Sequence, residues 1–166
     1  MSLYGTGRGE GIGATFLIAA IVLVVQLVGA WARPQATDLE LLARICVPAL
    51  GGAPGVQSAR YAGEPRSDAT NNAKLVRDIA SHSDKSAYYY CVLVMVRHAD
   101  DPQPIIADGV WHGQLIEQPR GQGGFGYDPY FFLPSLGKTA AELSAQEKNN
   151  LSHRGQALRA LINKLS

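Results

Sequence analysis

The sequence predicts an α/β fold in which helices flank a mixed β-sheet that contains mainly antiparallel strands. Two observations support it. Residues 88–96 are rich in aromatic and β-branched side chains, which is typical of a buried strand. Apolar residues between Ser67 and Ser81 recur at helical spacing. The 166 residues, of which 46% are hydrophobic and 17% charged, are sufficient for one folded core and argue against disorder.

The first ordinary elements begin at Asp38. Residues 38–45 are expected to form a short helical piece. The run Gly-Gly-Ala-Pro-Gly at 51–55 predicts a turn, because glycine and proline interrupt regular structure. Ser67 or Asp68 is a good helix cap, so a helix is expected from there to about residue 81.

The second half of the chain predicts strands followed by helices. Strand 105–116 is expected to pair with strand 88–96 as its antiparallel neighbour. Gly109 and Gly113 interrupt its alternation and predict bulges. Three shorter elements follow: a strand at 130–133, a helical turn capped by Thr139 at 139–143, and an amphipathic helix at 155–165.

The N-terminal segment is unusual. Residues 11–32 contain no charged side chain, and such a run is long enough to span a membrane. Arg8 and Arg33 flank it symmetrically, so the positive-inside rule gives no orientation. Three interpretations remain open: a membrane span or signal, a hydrophobic core element, or an N-terminus altered by a frameshift or fusion.

Charge and cysteine content narrow the class of protein. Fifteen basic and fourteen acidic side chains give a net charge of +1, so we expect no nucleic-acid partner. Cys46 and Cys91 lie far apart and outside any metal-binding spacing, which favours two buried reduced thiols in a cytoplasmic protein. Membrane association through residues 11–32 is the alternative location.

The run 121–131, Gly-Gln-Gly-Gly-Phe-Gly-Tyr-Asp-Pro-Tyr-Phe, is the main candidate for ligand binding. Its glycines, Gly126 among them, allow backbone amides to approach a ligand closely. Phe125 can stack on a purine, a contact worth about 1–3 kcal/mol. Asp128 can accept a hydrogen bond from the N1–H or the exocyclic amine of a purine, whereas Tyr127 also fits a packing role.

A second run, residues 147–155, supplies cationic and polar donors. Lys148 is suited to a phosphate or a keto oxygen. His153 and Arg154 precede the last predicted helix, so their donors are expected near a helix N-terminus, which favours electron-rich ligands.

These runs, together with residues 137–144 and 51–63, resemble the inosine triphosphate pyrophosphatase family, also called XTP/dITP diphosphatases. The resemblance covers about residues 46–166 with the motifs in the family's order, so residues 1–45 form an atypical segment and 46–166 a pyrophosphatase-like domain. It implies an elongated two-lobed fold with an altered N-terminal portion, a homodimer, and Mg²⁺ as cofactor. It also implies that Lys148, His153 and Arg154 contact the base, including its 6-oxo group. Donors directed at a 6-keto oxygen favour hypoxanthine or xanthine over adenine, since a 6-amino group leaves them unpaired.

The activity that the resemblance implies is hydrolysis of ITP, dITP and XTP to the monophosphate and pyrophosphate, which clears them from the nucleotide pool. Arg60, in the run 51–63, suits phosphate oxygens or a structural salt bridge.

The family's acidic Asp-Asp-Ser-Gly motif is absent before Cys46, where Leu-Leu-Ala-Arg-Ile stands instead. The only acidic residues between positions 11 and 63 are Asp38 and Glu40, so neither the catalytic nor the metal-binding residues are assigned. Two alternatives to the enzyme therefore stay open: a catalytically silent nucleotide-binding or dimerising remnant, and a membrane-attached variant.

Overall fold

The computed structural model describes residues 38–166 and, within that range, the side chains from Leu41 onward. Five strands form one sheet in chain order, each antiparallel to the next. The strands are β1 (Asp38–Cys46), β2 (Ser86–Val96), β3 (Ile105–Leu115), β4 (Phe131–Leu133) and β5 (Lys138–Thr139). The helices are α1 (Asp68–Ala80), α2 (Ala145–Leu151) and α3 (His153–Leu165). The predicted α/β fold is confirmed, and all strand pairings among the described residues are antiparallel.

Helix α1 confirms the capping prediction. The Ser67 side chain accepts a hydrogen bond from the Thr70 backbone N–H at 3.4 Å, which satisfies one free donor of the first turn. Leu75 and Ile79 are each only 1% exposed and anchor the helix in the core. The helix ends at Ala80, within one residue of its expected end.

Strand β1 replaces the helical piece that the sequence predicts for residues 38–45, so that prediction is wrong. Leucine, glutamate, alanine and arginine are good helix formers and dominate this segment. Nevertheless the segment pairs with β2 along its whole length, from Asp38 opposite Val96 to Cys46 opposite Tyr88. The ladder and the burial of Ile45 outweigh the local helix preference.

Gly109 and Gly113 do not form the predicted bulges, because both lie in uninterrupted register with β2. Instead, these two glycines allow neighbouring parts of the protein to approach β3 closely. A Cβ atom at Gly109 would lie 2.7 Å from the backbone nitrogen of Ala157 in α3, and one at Gly113 would lie 2.7 Å from the ring of Phe131. Helix α3 therefore rests directly on the sheet.

The shorter predicted elements are confirmed, although one helix was missed. Strand β4 and the start of α3 lie within two residues of their expected positions. A 3-10 turn at Ala140–Glu142 follows Thr139, whose backbone N–H donates to the Glu142 carboxylate at 2.7 Å. The sequence did not predict α2, a seven-residue helix capped by Ser144.

Two buried clusters hold the sheet together. One contains Ile45, Leu75, Tyr89, Trp111 and Phe131 among others, and the second joins Cys91, Leu93, Met95 and Ala107 to Ala157 and Leu161 of α3. Both cysteines are buried and free, as predicted. Burial raises the pKa of Cys91 to about 11, so this thiol stays protonated at neutral pH.

Within residues 38–166 no helix has the length and apolar character that a membrane span needs. The hydrophobic run 11–32, on which the predicted membrane association depends, lies outside the described residues.

Candidate functional site

A cavity of about 580 Å³ lies beside the sheet, a size suited to a small organic ligand. Its wall combines the end of β1, the start of α1, the glycine-rich loop (residues 121–131), α2 and the start of α3. Seven of the eight predicted site residues line it: Phe125, Gly126, Tyr127, Asp128, Lys148, His153 and Arg154.

Asp128 is the centre of the polar network in this cavity and is only 4% exposed. Its Oδ2 atom accepts hydrogen bonds from Lys148 Nζ at 2.5 Å and from the Phe125 backbone N–H at 2.8 Å. Its Oδ1 atom accepts a longer bond of 3.3 Å from the Tyr89 hydroxyl. A carboxylate has about four acceptor sites, so Asp128 retains capacity for one further donor.

Phe125 is an aromatic residue of this wall and is 52% exposed. The Arg154 guanidinium carbon lies 4.8 Å from the ring centroid and Lys148 Nζ lies 5.1 Å from it. Gly124 makes this arrangement possible, since a Cβ atom there would collide with the Asp128 carboxylate and lie 2.9 Å from Lys148 Nζ. Two cations thus lie over the aromatic ring of Phe125.

His153 and Arg154 belong to the first turn of α3, which begins two residues before its expected start at residue 155, and they lie at the predicted helix N-terminus. Ser152 caps this turn by accepting a hydrogen bond from the Gly155 backbone N–H at 3.3 Å. The His153 ring stacks on Tyr89 with a centroid distance of 4.7 Å and an interplanar angle of 9°. Among the described residues, His153 Nδ1 and Arg154 Nε are buried without a hydrogen-bond partner. Buried polar atoms are rarely left unpaired, so these two mark where a ligand would make polar contacts.

Gly126 and Tyr127 connect the loop to the rest of the cavity wall. The Tyr127 hydroxyl donates to the Ser58 carbonyl at 2.7 Å, and its ring is buried. Burial, followed by the nearby Tyr61 and Asp68, raises the pKa of Tyr127 well above its usual value. This hydroxyl is therefore a permanent donor that fastens the loop to the segment around Ser58.

Arg60 is the predicted site residue that the structure leaves out of the cavity. Its side chain is 64% exposed and pairs with Glu64 at 3.4 Å, which is the salt-bridge alternative. Its neighbours Ser58 and Ala59 line the cavity instead. The Ser58 hydroxyl accepts a hydrogen bond from the Ile45 backbone N–H at 3.0 Å and donates to the Gly55 carbonyl. The segment therefore builds the wall.

The sequence profile of the Ham1 family matches residues 43–164. The chain belongs to the Ham1 family. The match begins at residue 43, close to the boundary at about residue 46 that the sequence motifs predict. It confirms the family resemblance of those motifs. Two similar relatives, both named dITP/XTP pyrophosphatase, come from Ralstonia nicotianae and Nitrosomonas europaea. They are 68% and 63% identical over 124 and 134 residues, which cover 73% and 79% of this chain and 62% and 66% of theirs.

Solved structures of Ham1 proteins share the fold. A HAM1 protein from Coxiella burnetii has a TM-score of 0.74 at 46% identity, over 78% of this chain and 66% of that one. A nucleoside-triphosphatase, or dITP/XTP pyrophosphatase, from Mycobacterium abscessus has a TM-score of 0.66 at 31% identity, over 98% and 82% of the two chains. The Ham1 chain described here spans about three fifths of the length of the curated relatives that it matches.

The described part of this Ham1 chain does not fit a Mg²⁺ site. No group of three or more His, Cys, Asp or Glu side chains that could hold a metal ion occurs in it. Only two carboxylates of the described residues line the cavity: Asp128, which binds Lys148, and Asp68, which binds the Gly126 backbone N–H at 2.9 Å. The sequence left the metal ligands unassigned, and the described residues assign none.

Several cavity residues of this Ham1 chain were not found from the sequence. The sequence does contain a signal for Tyr89. This residue falls on a buried position of a strand, where its hydroxyl needs a hydrogen-bond partner. Arg44, Arg66 and Asp68 also line the cavity. Nothing in their local sequence distinguishes them from ordinary surface residues, since their place in the cavity depends on the tertiary fold.

The free energy of unfolding should depend on pH because of the lowered pKa of His153. Burial, followed by the charges of Arg154 and Lys148, lowers the pKa of His153 from 6.5 to about 3. Below about pH 6.5 the unfolded chain takes up a proton that the folded chain does not, so the free energy of unfolding falls as pH falls, by up to about 1.4 kcal/mol per pH unit. Urea unfolding at about pH 6.5 and pH 5 measures this slope. His153→Gln should flatten it, and equal slopes for the two proteins would contradict the assignment.

Proposed function

We propose that this chain is a dITP/XTP pyrophosphatase, a hydrolase that converts dITP, ITP and XTP to the monophosphate and pyrophosphate. The observation that supports this proposal is the convergence of an exposed ring, a buried carboxylate and three donors on one cavity. These residues are Phe125, Asp128, Lys148, His153 and Arg154. The relatives named dITP/XTP pyrophosphatase support the substrate class.

The proposed recognition follows from the chemistry of the wall. The purine stacks on Phe125, and Lys148, His153 and Arg154 donate to its 6-keto oxygen. Asp128 accepts from the N1–H of hypoxanthine or xanthine through its remaining lone pair. Adenine reverses both groups, because it offers a 6-amino donor and an unprotonated N1. Buried donors then stay unpaired, which costs about 1–3 kcal/mol each.

Release of pyrophosphate needs charge neutralisation and an oriented water, which a divalent cation usually supplies. We propose Mg²⁺ as that cation, and its ligands would have to come from outside the described side chains. The contribution that the described residues make is to bind and orient the base.

Two assays test the proposal on the full chain. Calorimetry compares the affinity for ITP and ATP, and a coupled assay measures pyrophosphate release in the presence of Mg²⁺. Turnover that favours ITP supports the enzyme. Tight ITP binding without turnover supports the catalytically silent nucleotide-binding alternative, and absence of any ITP binding contradicts both.

We propose that the chain acts as a homodimer, and an apolar strip on the sheet supports this. Leu42 and Ile106 are 50% and 52% exposed. They pair with Val92 and Val94 of β2, whose side chains point away from α3. A second copy would bury this strip. Light scattering should give twice the mass of one chain, and Ile106→Lys should yield a monomer that still binds ITP. A wild-type monomer at micromolar concentration would contradict the proposal.

We also propose a cytoplasmic location, because the proposed substrates belong to the nucleotide pool. Fractionation followed by salt and alkaline washes tests it. Recovery of the chain in the supernatant supports this location, whereas a chain that resists the alkaline wash contradicts it.

A further inference from the structure

We infer that Asn72, in helix α1, is a positioning residue that holds the ring of Phe125 in place for the base. Asn72 does not line the cavity and acts through the backbone of Gly126, the residue after Phe125. The inference rests on the proposed function, since it assigns a role in binding the same base.

Helix α1 binds both backbone polar groups of Gly126. The Gly126 N–H donates to Asp68 Oδ2 at 2.9 Å, and Asn72 Nδ2 donates to the Gly126 carbonyl oxygen at 2.9 Å. Asp68 and Asn72 are four residues apart and therefore share one face of the helix. The N–H and the carbonyl belong to the two successive peptide groups on either side of the Gly126 Cα, so α1 fixes both.

These hydrogen bonds restrain Gly126 directly, because glycine has no side chain that could pack. A Cβ atom added at this position would meet nothing within 4 Å. The residue has a φ of 60°, in the left-handed region where glycine moves with little steric penalty. On the N-terminal side of Phe125, the Phe125 backbone N–H donates to Asp128 Oδ2 at 2.8 Å. Three successive peptide groups around the Phe125 ring are thus fixed, the last of them by Asn72.

The hydrogen bonding of Asn72 differs from that of its neighbour Asn71. Both are buried, at 9% and 2% exposure. Asn71 uses both atoms of its amide, accepting from the Ala62 N–H at 2.7 Å and donating to the Ala59 carbonyl at 3.0 Å. Among the described residues Asn72 Oδ1 has no partner. A buried amide that makes one bond gains little net stability, so its bond to Gly126 is better explained by positioning of the loop.

A double-mutant cycle tests the inference by calorimetry with ITP. Asn72→Ala should weaken binding roughly 10-fold, because the ring is no longer held for stacking. In a Phe125→Ala background the same substitution should weaken binding less than about 2-fold, since the ring through which it acts is gone. An equal factor in both backgrounds would overturn the inference, as a general structural effect predicts that result.

Tyr61→Phe is the matched control, because it removes a hydrogen bond of 2.6 Å to Asp78 in the same helix, and among the described residues the Tyr61 hydroxyl makes no hydrogen bond to residues 121–131. It should leave ITP affinity unchanged, and a loss equal to that of Asn72→Ala would overturn the inference. Should Asn72→Ala fail to fold, Asn72→Leu keeps a similar volume and removes the donor, with the same expected results.

Amide hydrogen exchange tests the inference in the absence of a nucleotide. In the ligand-free protein, Asn72→Ala should speed exchange of the Phe125 and Gly126 N–H groups about 10-fold, whereas Tyr61→Phe should not. Unchanged exchange at these amides would overturn the inference. If the wild-type chain does not bind ITP, the proposed function fails and this measurement still decides whether Asn72 holds the loop.

Discussion

Replacing Phe125 with alanine is expected to weaken ITP binding by about 5- to 150-fold, because stacking of a base on an aromatic ring contributes about 1–3 kcal/mol. The free energy of unfolding should hardly change, since the ring is 52% exposed and adds little to the core. Calorimetry with ITP and urea unfolding of the same preparations measure both quantities.

Leu136→Ala is the matched control for this substitution. Leu136 is 45% exposed and lies outside the cavity, in the turn between β4 and β5. Its removal should leave ITP affinity unaltered. If Phe125→Ala and Leu136→Ala bind ITP equally well, the base does not stack on Phe125.

Among these substitutions, Gly109→Ala should lower the free energy of unfolding the most. The new Cβ atom would lie 2.7 Å from the Ala157 backbone nitrogen, and backbone cannot move aside as the end of a side chain can. Overpacking of this kind costs about 1–3 kcal/mol, and more where a whole helix must shift. Because α3 also carries His153 and Arg154, a displaced α3 should weaken ITP binding as well.

Urea unfolding and ITP calorimetry of Gly109→Ala measure the two effects together. Asp108→Ala is the control, because the neighbouring side chain of β3 is exposed and the substitution introduces no close contact with α3. A Gly109→Ala protein that is as stable as Asp108→Ala would show that α3 does not rest on the sheet as described.

The elements that the sequence predicted are those whose local pattern agrees with their tertiary surroundings. Strand β2 alternates buried and half-buried residues and is rich in valine and tyrosine, so propensity and burial indicate the same structure. Helix α1 has its Ser67 cap and spaced apolar residues within the segment itself. In β1 the two levels disagree, because helix-forming residues are held extended by β2.

The glycines show a different limit. From the sequence alone, Gly109 marks a break in alternation, for which a bulge is the usual cause. The actual reason is the approach of α3, which lies about 45 positions further along the chain. No local pattern contains that information.

The candidate site divides in the same way. Phe125, Asp128 and Lys148 were found because their runs combine glycine, aromatic and charged residues within a short stretch. Asp68 and Asn72 were missed because their contacts with Gly126 span more than fifty positions. The motif around Arg60 predicts a phosphate contact or a structural salt bridge, and in the structure its side chain pairs with Glu64.

The central claim is that the cavity beside Phe125 reads the keto edge of a purine. Titration of the isotope-labelled chain with ITP and then with ATP, followed by NMR, tests it most directly. The account predicts at least about 10-fold tighter binding of ITP, since adenine leaves buried donors unpaired. It also predicts that ITP shifts the signals of Phe125, His153 and Arg154. Equal affinity for the two nucleotides, or shifts confined to residues outside the cavity, would contradict it.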